Sequence, residues 1–113
     1  MQSAVPSVSA ADVPPDAVVL DVREDDEWAA GHIDGAHHMP MGELPGRFAD
    51  LASLADGSPE FVVVCRSGNR SARVVAWLAQ NGVEAVNLAG GLRAWVSAGR
   101  PMVSETGAAP FVR

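Results

Sequence analysis

Two apolar patterns alternate along this chain. Short apolar runs stand at Val18 to Val22 (VVLDV) and Phe61 to Cys65 (FVVVC), and after them apolar residues recur every three or four positions. An apolar run of strand length suits a strand buried on both faces of a parallel sheet, because successive side chains point to opposite faces. Recurrence at three and four marks a helix with one apolar stripe. The alternation predicts an α/β fold, a parallel sheet covered by helices.

Each element has a reason in its residues. After the first strand, Asp25 or Asp26 is placed to cap a short helix holding Trp28, closed by Gly31. Ala36 to Met39 reads as a strand ended by Pro40. Leu44, Phe48, Leu51 and Ala55 stand at helical spacing, with Pro45 tolerated in a first turn. Asn69 to Gln80 reads as a helix with Ala72, Val75, Ala76 and Ala79 sharing one face, widened by Val74 and Leu78, and Asn81-Gly82 stops it. Ala85 to Leu88 is a short strand. Gly90-Gly91 turns the chain into a last helix with Leu92, Trp95 and Val96 inward, ended by Gly99 and Pro101. Val5 to Val8 adds an edge strand. Residues 1–101 form the expected domain, and 102–113 is a tail without periodicity, expected to be loose.

Composition narrows the class. A chain of 113 residues holds one core of ordinary size. The formal net charge is -6 and every basic residue is arginine. Such a surface does not attract nucleic acid or an acidic membrane, so neither is expected as a partner. No apolar run approaches the ~20 residues of a membrane span. Met1 to Pro15 lacks a basic region followed by an apolar core, so no secretory signal is expected. The single cysteine excludes an intramolecular disulfide and suits a reducing compartment, which makes a cytoplasmic location the expectation.

That cysteine is the focus of the chemistry. Cys65 ends the most apolar strand and is followed by Arg66-Ser67-Gly68-Asn69-Arg70-Ser71 and a helix. In a doubly wound sheet, ligands bind at the carboxyl ends of the strands. A short loop there opens on free N–H groups and the positive end of a helix dipole. Gly68 lets the backbone curl, giving a concavity of N–H donors around the sulfur. No acidic residue interrupts Cys65 to Gln80, so Arg66, Arg70 and Arg73 add positive charge beside the thiol. All three effects favour a thiolate. A lone cysteine is more often a small buried hydrophobe, and the same loop could bind an anion without reacting. The strand–Cys–loop–helix order with its arginines outweighs both bland readings.

The loop CRSGNRS, Cys65 to Ser71, resembles the active-site loop of the rhodanese family. Leu20-Asp21-Val22-Arg23-Glu24 is similar to the family's LDVRE block, and Gly31-His32-Ile33-Asp34-Gly35-Ala36 to its GHIPGA block, with Asp34 where proline is common. Asn87-Leu88-Ala89-Gly90-Gly91, with Trp95 and Gly99, resembles its closing motif. The blocks run in family order from about Val18 to Gly99. The resemblance implies an α/β fold with a central parallel sheet of about five strands and helices on both faces. It implies a sulfurtransferase in which Cys65 takes the outer sulfur of a small anionic donor such as thiosulfate. The persulfide so formed is passed to a thiol, a protein acceptor or cyanide. By position, the N–H groups from Arg66 to Ser71 hold the sulfur, including those of Ser67, Gly68 and Asn69. Arg66 and Arg70 orient the donor, and Ser71 caps the helix or bonds the sulfur, with the cap favoured. No cofactor and no metal are expected.

Two rival functions stay open at this point. One is a persulfide carrier or interaction module in a sulfur relay. The other, less favoured, is a phosphatase or arsenate reductase of the same fold, whose loops commonly run Cys-x5-Arg, whereas Arg70 here closes Cys-x4-Arg. His32 is read as a buried hydrogen-bonding residue rather than a base. His37 and His38 are adjacent and so would point to opposite faces of a strand, without the further ligands a metal needs. Asp21 and Arg23 are read as a structural pair, Trp28 and Trp95 as core, and Trp77 as partly exposed beside the active-site helix.

Overall fold

The computed structural model describes residues 5–113. Five strands form one parallel sheet in the order β1-β5-β4-β2-β3: β1 (Ser7–Val8), β2 (Val18–Asp21), β3 (His37–His38), β4 (Phe61–Val64) and β5 (Val86–Leu88). Helices α1 (Asp25–Ala30), α2 (Phe48–Ala55), α3 (Asn69–Gln80) and α4 (Gly91–Ser97) connect or follow them. β4 is central because it can be: Phe61, Val62, Val63 and Val64 are all buried, and no polar side chain asks for solvent on either face.

Alternation along the strands divides the interior in two. Leu20, Val63 and Cys65 point into one cluster, closed by Leu51 of α2 and by Val74, Val75 and Leu78 of α3. Val19, Val62 and Val64 point into the other, closed by Leu92 and Trp95 of α4 and by Ala10 of the Ala10–Asp12 turn. Each fully buried valine or leucine contributes about 1.5–3 kcal/mol of transfer free energy, so the sheet is fixed between its two helical layers.

Several ends differ from the sequence expectation. The start of α1 is not capped by Asp25 or Asp26. Glu24 is the cap, in a capping box with Glu27, whose carboxylate accepts the Glu24 N–H at 3.0 Å. The segment before α2 opens as two tight turns, Met41–Glu43 and Pro45–Arg47, because Pro45 offers no N–H to a regular helix. Val96 is 50% exposed rather than inward, since Leu92 and Trp95 already fill the face of α4 that meets the sheet. Trp28 is half-buried rather than core; its ring stacks on those of His32 and His38. Segment 102–113 lies along α1: Val103 bridges His32, and the N–H groups of Glu105 and Phe111 donate to the carbonyls of Ala29 and Ala30. None of the described helices is long and apolar enough to cross a membrane.

Candidate active site

Cys65 follows β4 at the carboxyl edge of the sheet, where the strand order turns back on itself between β2 and β5. This is the switch point at which doubly wound sheets bind ligands. The residue is 1% exposed. The next residues fold back over it: Gly68 takes φ 101, a left-handed angle that favours glycine, and starts α3 as its N-cap. That turn aims the Gly68 N–H at the sulfur, donating to Sγ at 3.1 Å. Ser71, in the first turn of the helix, donates its N–H at 3.4 Å, and its hydroxyl oxygen lies 3.2 Å from Sγ.

Burial works to push the Cys65 thiol up, because it removes water from a charge. The Ser71 hydroxyl and the N–H groups of Ser71, Gly68 and Ser67 act in the other direction and together outweigh it. The thiol is held below its ordinary range. A buried sulfur with hydrogen-bond donors around it favours the thiolate over the thiol.

The predicted loop residues separate into distinct settings. Arg66, Ser67 and Asn69 are exposed, Gly68 and Ser71 are buried, and Arg70 is partly buried. Ser71 is not the helix cap; Gly68 holds that position, which leaves the serine inside the first turn and free to face the sulfur. Arg70 is taken up by Glu27 of α1 in a two-pronged ion pair at 2.7 and 2.8 Å. That guanidinium holds the Glu27 carboxyl down at about 2. Arg66 and Arg73 have no carboxylate partner among the described residues.

Asp21 and Arg23 form a fully buried pair at 2.8 Å, and Arg23 also donates to the carbonyls of Gly31 at 2.6 Å and Glu27 at 3.2 Å. The pair thereby fixes α1, and through Glu27 it fixes Arg70. His32 is buried, with Nδ1 2.9 Å from the Trp28 carbonyl, and His38 sets Nε2 2.8 Å from the Arg23 carbonyl. A carbonyl only accepts, so each of those nitrogens carries a proton. Among the described residues no cluster of three or more His, Cys, Asp or Glu side chains is placed to hold a metal ion.

Two residues of the site were not anticipated from sequence. Glu27 is one. Asn87 of β5 is the other: its register opposite Val63 brings it beside the loop, where its Nδ2 donates to the Gly68 carbonyl at 3.2 Å and its Oδ1 accepts from the Ser71 hydroxyl at 2.5 Å. The strand–Asn–Leu pattern was readable, but nothing local signals a bond across 16 positions.

Fold and site together define a doubly wound domain that presents one buried cysteine in a donor-lined loop. The chain belongs to the rhodanese-like domain family, whose model matches residues 9–98. It is similar to a sulfurtransferase of Allochromatium vinosum, 38% identical over 93 residues that cover 81% of this chain and 83% of that protein. It also resembles the thiosulfate sulfurtransferase GlpE of Pseudomonas fluorescens, 38% identical over 80 residues and 70% of each chain. A rhodanese-related protein of Thermoplasma volcanium superposes with TM-score 0.78 at 36% identity, covering 87% of this chain and 97% of that one.

Proposed function

We propose that this protein is a sulfurtransferase that carries a sulfane sulfur as a persulfide on Cys65, with a thiosulfate-like anion as donor and a thiol or cyanide as acceptor. The observation that carries the reading is the ring of donors around the Cys65 sulfur, with Gly68 N–H at 3.1 Å and both Ser71 groups within 3.4 Å. The thiolate attacks the outer sulfur of thiosulfate. The sulfur–sulfur bond of the donor breaks, its electron pair leaves on sulfite, and Cys65 holds a persulfide anion. An acceptor such as cyanide then attacks the outer sulfur, leaves as thiocyanate and returns the thiolate, in a ping-pong sequence.

The same N–H groups serve both anions, thiolate and persulfide, as fixed dipoles that need no reorganisation between steps. Arg66, exposed and without a carboxylate partner among the described residues, is assigned the orientation of the donor's oxygens. Ser67 and Asn69, both exposed, are assigned to the side from which the donor approaches. Arg70 is assigned a second contact, shared with Glu27, which holds it in place. The family's sulfurtransferases and the thiosulfate sulfurtransferase among the relatives support this choice of chemistry. Cys65→Ser tests it: thiocyanate formation from thiosulfate and cyanide is lost while thermal unfolding stays close to that of the natural chain. Turnover in that variant contradicts the persulfide route.

A further inference from the structure

We propose that Asn87 is a positioning residue that competes with the Cys65 sulfur for the single hydroxyl proton of Ser71. The proposal rests on Cys65 being the reactive thiol and concerns how its charge is set. The Ser71 oxygen lies 2.5 Å from Asn87 Oδ1 and 3.2 Å from Cys65 Sγ. A hydroxyl has one proton to give, so it serves one of these acceptors at a time. The Asn87 amide cannot turn to avoid the conflict without cost, because its Nδ2 is bonded to the Gly68 carbonyl, which only accepts. Ser71 is fully buried and Asn87 is 7% exposed, so the choice is made within the protein.

Two arrangements follow. In the first, Ser71 donates to Asn87, and a protonated Cys65 donates its S–H to the Ser71 oxygen. In the second, Ser71 donates to the thiolate, and Asn87 Oδ1 faces an oxygen lone pair with no donor between them. The first suits the thiol and the second the thiolate. Asn87 therefore withholds part of the stabilisation that Ser71 can offer, and the backbone N–H groups supply the rest. A residue that only braced the loop would act with the opposite sign, since losing it would relax the donors away from sulfur.

Among the described residues no charged side chain hydrogen-bonds to the side chain of Ser71 or Asn87. The Glu27–Arg70 and Asp21–Arg23 pairs are each neutral overall, His38 is bonded to the Arg23 carbonyl, and Arg66, Arg73 and Arg93 are exposed. β5 contributes no charge near the loop. These groups act alike in all variants below and drop out of a double-mutant comparison.

The test is the titration of Cys65 by the ultraviolet absorbance of its thiolate, without substrate, in four chains: natural, Ser71→Ala, Asn87→Ala and the double variant. In the natural background Ser71→Ala lowers the thiolate fraction at fixed pH by less than about threefold. In the Asn87→Ala background the same change lowers it about tenfold, because the freed proton had gone to sulfur. Asn87→Leu, of similar size and without an acceptor, takes the place of Asn87→Ala if the smaller side chain unfolds the chain. An effect of Ser71→Ala that is equal or smaller in the Asn87 background overturns the proposal. The readout needs no turnover, so this result is separate from success or failure of the sulfurtransferase reading.

Discussion

Replacing Gly91 with alanine measures how tightly the last helix holds the active-site loop. Gly91 begins α4 at φ +64, and a Cβ there would stand 2.5 Å from the carbonyl carbon and oxygen of Arg66 and 2.6 Å from the oxygen of Cys65. Those atoms are main chain and are pinned: the Leu92 N–H donates to the Cys65 carbonyl at 2.9 Å and the Arg93 N–H to the Arg66 carbonyl at 3.1 Å. Three costs follow. A left-handed alanine costs about 1–2 kcal/mol. Relieving overlap with fixed backbone costs about 1–3 kcal/mol. Weakening two backbone hydrogen bonds costs about 0.5–1.5 kcal/mol each. With partial relaxation the total is about 3–5 kcal/mol, a large part of a small domain's stability of about 5–15 kcal/mol. Gly82→Ala is the control, because Gly82 has φ +81 but nothing within 4 Å of its Cβ, so only the conformational cost of about 1–2 kcal/mol remains. Urea unfolding followed by tryptophan fluorescence compares the two. A Gly91→Ala loss within about 1 kcal/mol of the Gly82→Ala loss would mean that the last helix does not grip the loop backbone at this contact.

Three further outcomes follow from the site. Glu27→Gln loses a carboxylate held at about 2. A depressed carboxyl contributes stability above its unfolded pKa and loses it as pH falls. The gap between the natural chain and this variant, about 1–2 kcal/mol near neutrality after allowance for partial exposure, therefore closes between about pH 5 and 2 in chemical unfolding; a constant gap contradicts the pairing. The rate of Cys65 alkylation by iodoacetamide rises with pH and levels off below the range of an ordinary cysteine, about 8.5, whereas a profile matching free glutathione contradicts the donor ring. Arg23→Met leaves Asp21 buried without its partner and costs about 3–5 kcal/mol, while Asp21→Leu combined with Arg23→Met costs less, by the same unfolding assay.

Local order explains what the sequence made legible. The Cys65 loop is contiguous, so its residues and the helix that follows could be read together, and Asn69 to Gln80 matches α3 at both ends. The apolar run at Phe61 pointed to the central strand for a physical reason, the need to cover both faces. The resemblance of four blocks supplied the family. What escaped reading lies across long separations. Glu27 meets Arg70 over 43 positions and Asn87 meets Ser71 over 16, and no periodicity carries such information. Serine favours the cap position, but Gly68 holds it, with a backbone angle that also shapes the loop. Apolar character alone points Val96 inward, but its larger neighbours Leu92 and Trp95 fill the inner face of a short helix.

The central claim is that Cys65 accepts one sulfur atom and gives it up. Intact-protein mass spectrometry after incubation with thiosulfate, and again after adding cyanide, tests it most directly. The expected result is a gain of one sulfur atom mapped to Cys65, then its loss with thiocyanate released. Absence of any gain with thiosulfate and also with a protein persulfide donor would contradict it and leave the loop as an anion-binding site without transfer.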